Sequence, residues 1–157
     1  MTRHHSLALM LLAVVLAPSV SAQKVPDFSG RWELNTSKSQ NLGMMAALHD
    51  ELTITQTPTA LVIKDASTFQ GQENARELRY DLTGKAVSND GPMGDHNETV
   101  ATWMKGALVT TWTKEGAVAG TKSVMTETRS LSPDGKTMSV ESRRGANPPL
   151  IMVFDRK

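Results

Sequence analysis

From residue 30 onward, apolar and polar side chains alternate in short runs instead of recurring at the three- or four-residue spacing of a helix. Trp32 and Leu34 share one face, as do Leu52 and Ile54, then Leu78, Tyr80 and Leu82. Met138 and Val140 repeat the pattern, and Leu150, Met152, Phe154 and Arg156 end it. Successive side chains of a strand point to opposite faces, so this period of two predicts strands with one face on a core. The expected strands cover residues 30–36, 51–57, 60–66, 75–82, 98–104, 107–113, 121–131, 137–143 and 149–156. In the last of them Ile151 and Val153 are apolar on the second face too, which predicts either a strand covered on both sides or a surface patch.

Turn residues punctuate these runs: Pro58-Thr59, Thr83-Gly84-Lys85, Lys105-Gly106, Glu115-Gly116, Ser132-Pro133-Asp134-Gly135 and Ala146-Asn147-Pro148-Pro149. Pro presets φ and Gly accepts a positive φ, so Ser-Pro-Asp-Gly is the strongest turn, and Lys105-Gly106 the tightest hairpin. Short strands joined by tight turns, with no helical crossovers, predict an all-β fold. It is a single antiparallel up-and-down β-barrel of about 8–10 strands in which the first and last strands meet. One segment breaks the rhythm. Residues 42–48 are rich in helix formers and predict a short helix between the first two strands, lying across one barrel mouth as a plug or as a ligand-gating lid.

The first 22 residues read as an address. Arg3 gives a positive start, residues 7–16 form an apolar run, and Val20-Ser21-Ala22 offers small residues for cleavage before Gln23. The apolar run is about half of what a bilayer-spanning helix needs, so a signal peptide is favoured over a retained anchor. The expected division is a signal peptide at 1–22 and one barrel domain at 23–157, exported to the periplasm or the extracellular space, with no membrane span in the mature protein. The chain has 17 Lys and Arg against 16 Asp and Glu. Loss of Arg3 leaves them balanced, which argues against nucleic acid or an anionic membrane surface as partner. There are no cysteines. The exported domain therefore depends on its core rather than on disulfides.

Phe28-Ser29-Gly30-Arg31-Trp32-Glu33-Leu34 resembles the Gly-x-Trp opening strand of calycins, the superfamily of lipocalins and fatty-acid-binding proteins. Pro26 to Trp32 followed by Asn35-Thr36-Ser37-Lys38-Ser39, with the later turn Leu131-Ser132-Pro133-Asp134-Gly135-Lys136, is similar to small exported bacterial lipocalin-like proteins. The resemblance implies that Trp32 closes the barrel floor after Gly30, with the last-strand Arg156 packed over its ring. Fatty-acid-binding members hold a carboxylate with Arg-x-Tyr on the final strand. Phe154-Asp155-Arg156 departs from that pattern, so carboxylate capture there is not implied.

Little supports catalysis, and no enzyme is expected. Cysteine nucleophiles are excluded and no Gly-x-Ser-x-Gly elbow occurs. His49 and His96 each adjoin an aspartate in sequence, but neighbours on a strand point apart, so neither pair forms a dyad. No metal or cofactor is expected either. Residues 89–97 crowd oxygen-bearing side chains without the alternation and closing Glu of an EF-hand, so a plain turn is favoured over calcium.

A barrel of this size is a container, which predicts a non-catalytic binding protein for a small apolar or amphipathic ligand. The alternative is a structural or protein-interaction module whose barrel is filled by its own side chains. Tyr80, Trp103, Trp112 and Met125 are the candidate lining. For Trp103 and Trp112, cross-strand packing within one hairpin is the favoured role, with a pocket wall as the alternative. Glu127 and Arg129 share the face of Met125 and Leu131. Burying charge is costly, so an outward or barrel-mouth position is expected for them, with an interior polar anchor as the alternative.

Overall fold

The computed structural model describes residues 25–91 and 94–157; the expected signal peptide lies outside the described residues. Ten strands follow one another: β1 Gly30–Leu34, β2 His49–Gln56, β3 Ala60–Phe69, β4 Gln72–Asp81 and β5 Val87–Asp90. Then come β6 His96–Met104, β7 Ala107–Glu115, β8 Lys122–Leu131, β9 Thr137–Arg143 and β10 Leu150–Arg156. They form one antiparallel sheet in the order β4-β3-β2-β1-β10-β9-β8-β7-β6-β5. Every chain-adjacent pair but β4–β5 is hydrogen-bonded, and β1 pairs with β10, so the sheet curls into an up-and-down barrel.

Local chemistry sets the hairpins. Lys105 and Gly106, at φ 49° and 79°, form the two-residue connection between β6 and β7. Two successive positive φ values match the twist of the flanking strands. Gln70-Gly71, at 50° and 80°, does the same between β3 and β4, where the apolar pattern marked no turn. That hairpin extends both strands beyond the expected 60–66 and 75–82.

Two expectations about the connections need correction. β5 is not among the expected strands, and its Asn89 and Asp90 fall in the expected turn over residues 89–97; with one apolar residue in Val87-Ser88-Asn89-Asp90, it carries no alternation. The segment before β2 does coil into a 3-10 helix, Gly43–Ala47, but none of its residues is buried and Met44 is 88% exposed. It therefore covers no core and is not a plug.

Inward positions build one core: Phe28, Trp32, Ile54, Leu61, Ile63, Leu78, Tyr80, Leu108, Trp112, Met138, Val140 and Phe154 are all buried. Ile151 and Val153 are half-buried, not an exposed patch. Past the end of β1 the chain still runs beside β10. Gln40 exchanges backbone hydrogen bonds with Ile151, and the Val153 N–H donates to Ser39 Oγ at 2.9 Å.

The sheet ends, β4 and β5, share no backbone ladder. Asn89 closes this seam with its side chain. Its Oδ1 accepts from the Arg79 N–H at 2.8 Å, and its Nδ2 donates to the Arg79 carbonyl at 2.7 Å. A primary amide thus supplies the donor–acceptor exchange that a strand backbone would make. The same Nδ2 donates to Thr99 Oγ1 on β6 at 2.7 Å, so the clamp is anchored on both sides.

Candidate functional site

The two ends of the barrel differ. At the end carrying the start of β1, Trp32 stands directly across the ladder from Arg156. The Arg156 guanidinium lies 4.2 Å from the centroid of the indole, whose N–H donates to the Phe28 carbonyl at 2.9 Å. Arg156 also donates to the carbonyls of Gly135 at 2.8 Å and Ser29 at 2.5 Å. Gly30 has φ 132°, and a Cβ there would stand 2.7 Å from Arg156 Nη1. Trp103 belongs to this end as well, stacked on Phe28 at 6.1 Å and 5°. Apolar packing and a capping cation close this floor.

Towards the other end the interior is charged. Glu127 and Arg129 point inward, not outward as expected, and the side chain of Arg129 is 6% exposed. The cost of burial is met locally. Arg129 Nη2 donates to Glu127 Oε2 at 3.0 Å, its guanidinium lies 5.5 Å from the Tyr80 ring centroid, and Trp112 Nε1 donates to Glu127 Oε2 at 3.3 Å. Across the interior, Arg76 Nε donates to Asp65 Oδ2 at 2.7 Å, and Asp50 is buried beside them. Burial, then the Asp65 carboxylate and a hydrogen bond with it, push the Asp50 carboxyl up to about 8, against the pull of Arg76. Burial likewise raises the Tyr80 hydroxyl.

Between these two groups lies a cavity of about 40 Å³. Asp50, Asp65, Arg76, Glu127 and Arg129 line it from four strands, with an apolar wall that includes Leu52, Ile63 and Phe154. Two atoms of these lining residues, Asp50 Oδ1 and Arg129 Nε, are buried without a hydrogen-bond partner. Tyr80 Oη, deeper in the core, is a third such atom. An unsatisfied buried polar atom costs about 1–3 kcal/mol. Two of them on one cavity make a place where a polar group of an occupant, or water, completes the bonding.

Of the four aromatic and sulfur residues singled out from the sequence, three come together. Tyr80 meets Trp112 edge-on at 6.1 Å and 78°, and Met125 is the cross-strand partner of Trp112. Trp103 is at the opposite end. The expected cross-strand pairing of Trp103 with Trp112 does not form, because the register sets Trp103 against Leu108 and Trp112 against Thr99. Trp103 stands two residues before the turn, not at the far end of the hairpin. None of the four lines the cavity, whose wall combines the charged groups with Leu52, Ile63, Met152 and Phe154.

Both histidines among the described residues, His49 and His96, are exposed. His96 Nδ1 pairs with Asp90 Oδ1 at 2.6 Å rather than with its sequence neighbour, and His49 lies 3.6 Å from Glu51. Among the described residues no three His, Asp or Glu side chains converge as a metal set. No helix among them is long and apolar enough to cross a membrane.

No family model matches the chain, and none of the curated proteins matches it. Solved structures do. A protein described as the REP1-NXSQ fatty acid transporter aligns over 82% of this chain and 95% of its own, with TM-score 0.63 and 14% identity. The Schistosoma mansoni fatty acid binding protein in complex with arachidonic acid aligns over 83% and 96%, at TM-score 0.63 and 18% identity. Human cRBP IV aligns over 84% and 99%, at TM-score 0.63 and 17% identity. At these identities the likeness is one of fold: the chain shares the antiparallel up-and-down β-barrel of these proteins.

Proposed function

We propose that the protein is a non-catalytic binding protein that takes up a small apolar or amphipathic molecule, with its polar end seated in the barrel. The observation that carries this is the interior cavity with its two unpartnered buried groups, Asp50 Oδ1 and Arg129 Nε, in a fold shared with fatty-acid carriers. Asp50, Asp65 and Arg129 are buried on this cavity, and burying charged or ionisable groups is costly unless their bonding is completed. The apolar part of the molecule would lie along Trp112, Met125 and Met152, the two methionines having flexible thioether side chains that can change rotamer to admit it.

A second reading has its own support. The cavity as it stands holds about one or two waters, far below the 300–1,000 Å³ of a typical ligand site. A barrel filled by its own side chains would serve as a structural or interaction module. Native mass spectrometry of protein purified from its own host separates the two. A co-purifying small molecule, with a thermal midpoint raised on its re-addition, supports the binding protein. Bare protein that gives no saturable Trp112 fluorescence change with medium-chain lipids supports the filled barrel.

Export completes the reading: residues 1–22 are removed and the mature protein works in the periplasm or outside the cell. Its warrant is the charged start, apolar run and Val20-Ser21-Ala22 end of that segment. Intact-mass measurement of secreted material should find Gln23 as the first residue; a full-length cytoplasmic product would overturn this.

A further inference from the structure

The charges around the cavity carry information about its occupant. Asp65 and Glu127 are matched by Arg76 and Arg129, each acid bound to its own arginine at 2.7 Å and 3.0 Å. The fifth group, Asp50, has Asp65 beside it and Arg76 beyond. An arriving carboxylate would face two carboxylates whose arginines are already engaged. An arriving ammonium would face two guanidiniums. Either would leave one buried charge without a counter-ion, which is strongly unfavourable.

What the wall leaves open is smaller and neutral. Arg129 Nε–H is an unused donor and Asp50 Oδ1 an unused oxygen, both buried and both belonging to residues that line the cavity. A hydroxyl can accept from the first and donate to the second; an ether or ester oxygen can only accept, and a methyl can do neither. The volume, about 40 Å³, suits a hydroxymethyl group in place of a water.

We infer that the cavity selects a hydroxyl-headed aliphatic molecule over the carboxylate or the ammonium of the same chain length. This rests on the reading of the barrel as a binding protein. Selection here works by refusal as much as by attraction, because the paired charges penalise either ion while the orphaned donor and acceptor reward a neutral head.

The test uses 1-decanol, decanoate and decylammonium at pH 7 with the mature protein, followed by tryptophan fluorescence and native mass spectrometry. Decanol should bind saturably and at least about tenfold more tightly than either ion. Shifting the charge balance should shift the preference. Glu127→Gln removes a negative charge and should move selectivity towards decanoate. Arg76→Gln removes a positive charge at a side chain that is 26% exposed, and should move it towards decylammonium. Arg76→Gln also keeps the experiment decisive if the more buried Glu127→Gln variant fails to fold. Equal binding of the three probes, or tightest binding of an ion by the wild-type protein, overturns the inference while leaving the binding protein intact. Failure of every probe to bind overturns both.

Discussion

Arg156 lies over the ring of Trp32, 4.2 Å from its centroid, although the two residues are separated by nearly the whole described chain. The β1–β10 register makes them direct cross-strand partners. The contact therefore forms only when the barrel closes, and it reports closure. Arg156 does more than cover the indole: its hydrogen bonds to Ser29 and Gly135 tie the chain before β1 to the β8–β9 turn.

Trp32→Ala should cost about 3–5 kcal/mol, as expected for emptying a buried aromatic site. Arg156→Ala should cost less, since its guanidinium is partly solvated. In a double-mutant cycle read by urea denaturation, the two losses should fall short of additivity by about 0.5–2 kcal/mol, the range for a cation over an aromatic face. Strict additivity would mean that the contact contributes nothing.

Gly30 is required twice over at this joint, by its φ of 132° and by the approach of Arg156 Nη1 to within 2.7 Å of where a Cβ would stand. Gly30→Ala should destabilise the barrel by about 1–3 kcal/mol through backbone strain, plus the cost of displacing Arg156. The same substitution in an Arg156→Ala background should cost less but not nothing. An unchanged cost there would show that only the backbone matters.

The Asn89 clamp predicts a local effect at a distance from both barrel ends. Asn89→Ala removes the partners of the Arg79 N–H and carbonyl at once. Stability should fall by about 1–3 kcal/mol, the cost of stranding buried or half-buried polar groups. Amide exchange at Arg79 should accelerate more than exchange in β7 or β8, whose ladders are continuous. Uniform acceleration across the sheet would mean that the seam is not a local weak point.

The residues that were hard to read from sequence share a physical cause. Eight of the nine expected strands carry at least two apolar residues at a spacing of two; residues 121–131 do not, and are marked by the turns Glu115-Gly116 and Ser132-Pro133-Asp134-Gly135 that bound them. β5 has one, Val87, and its burial is that of Asn89, held by hydrogen bonds that hydropathy does not register. Glu127 and Arg129 show the opposite case. Their parity with Met125 and Leu131 placed them inside, and the expected cost of burying charge argued them out again. Arg129 and Glu127 pair within β8, but the deciding partners lie on other strands: Trp112 Nε1 donates to Glu127, and the Tyr80 ring lies under the Arg129 guanidinium, neither of which one strand's sequence contains. Asp50, Asp65 and Arg76 went unnoticed for the same reason: each is a single polar residue in an apolar alternation, and their meeting depends on the β2–β3–β4 register. That Asp65 and Arg76 are cross-strand partners could be found by folding the sequence back at Gln70-Gly71.

Asp50 makes the interior sensitive to pH in a direction that can be worked out. Its carboxyl is held up at about 8 by burial first, then by Asp65, with Arg76 opposing; Glu127 and Arg129 face the same cavity from β8. In the unfolded chain an aspartate titrates near about 4. Between roughly pH 4 and pH 8 the folded state therefore keeps a proton that the unfolded state has lost, and folding stability falls as pH rises through that window. The contribution of Asp50 is fully present below the window and gone above it. Asp50→Asn has nearly the same shape, stays neutral, and can still donate a hydrogen bond to Asp65. The variant should thus match the wild type at pH 4 and become progressively more stable than it towards pH 8, with the difference level beyond. Urea titrations at pH 4, 6, 8 and 9 measure that difference directly. A constant offset between the two proteins across the series would mean that Asp50 titrates normally, and that its proton is not shared within the cavity.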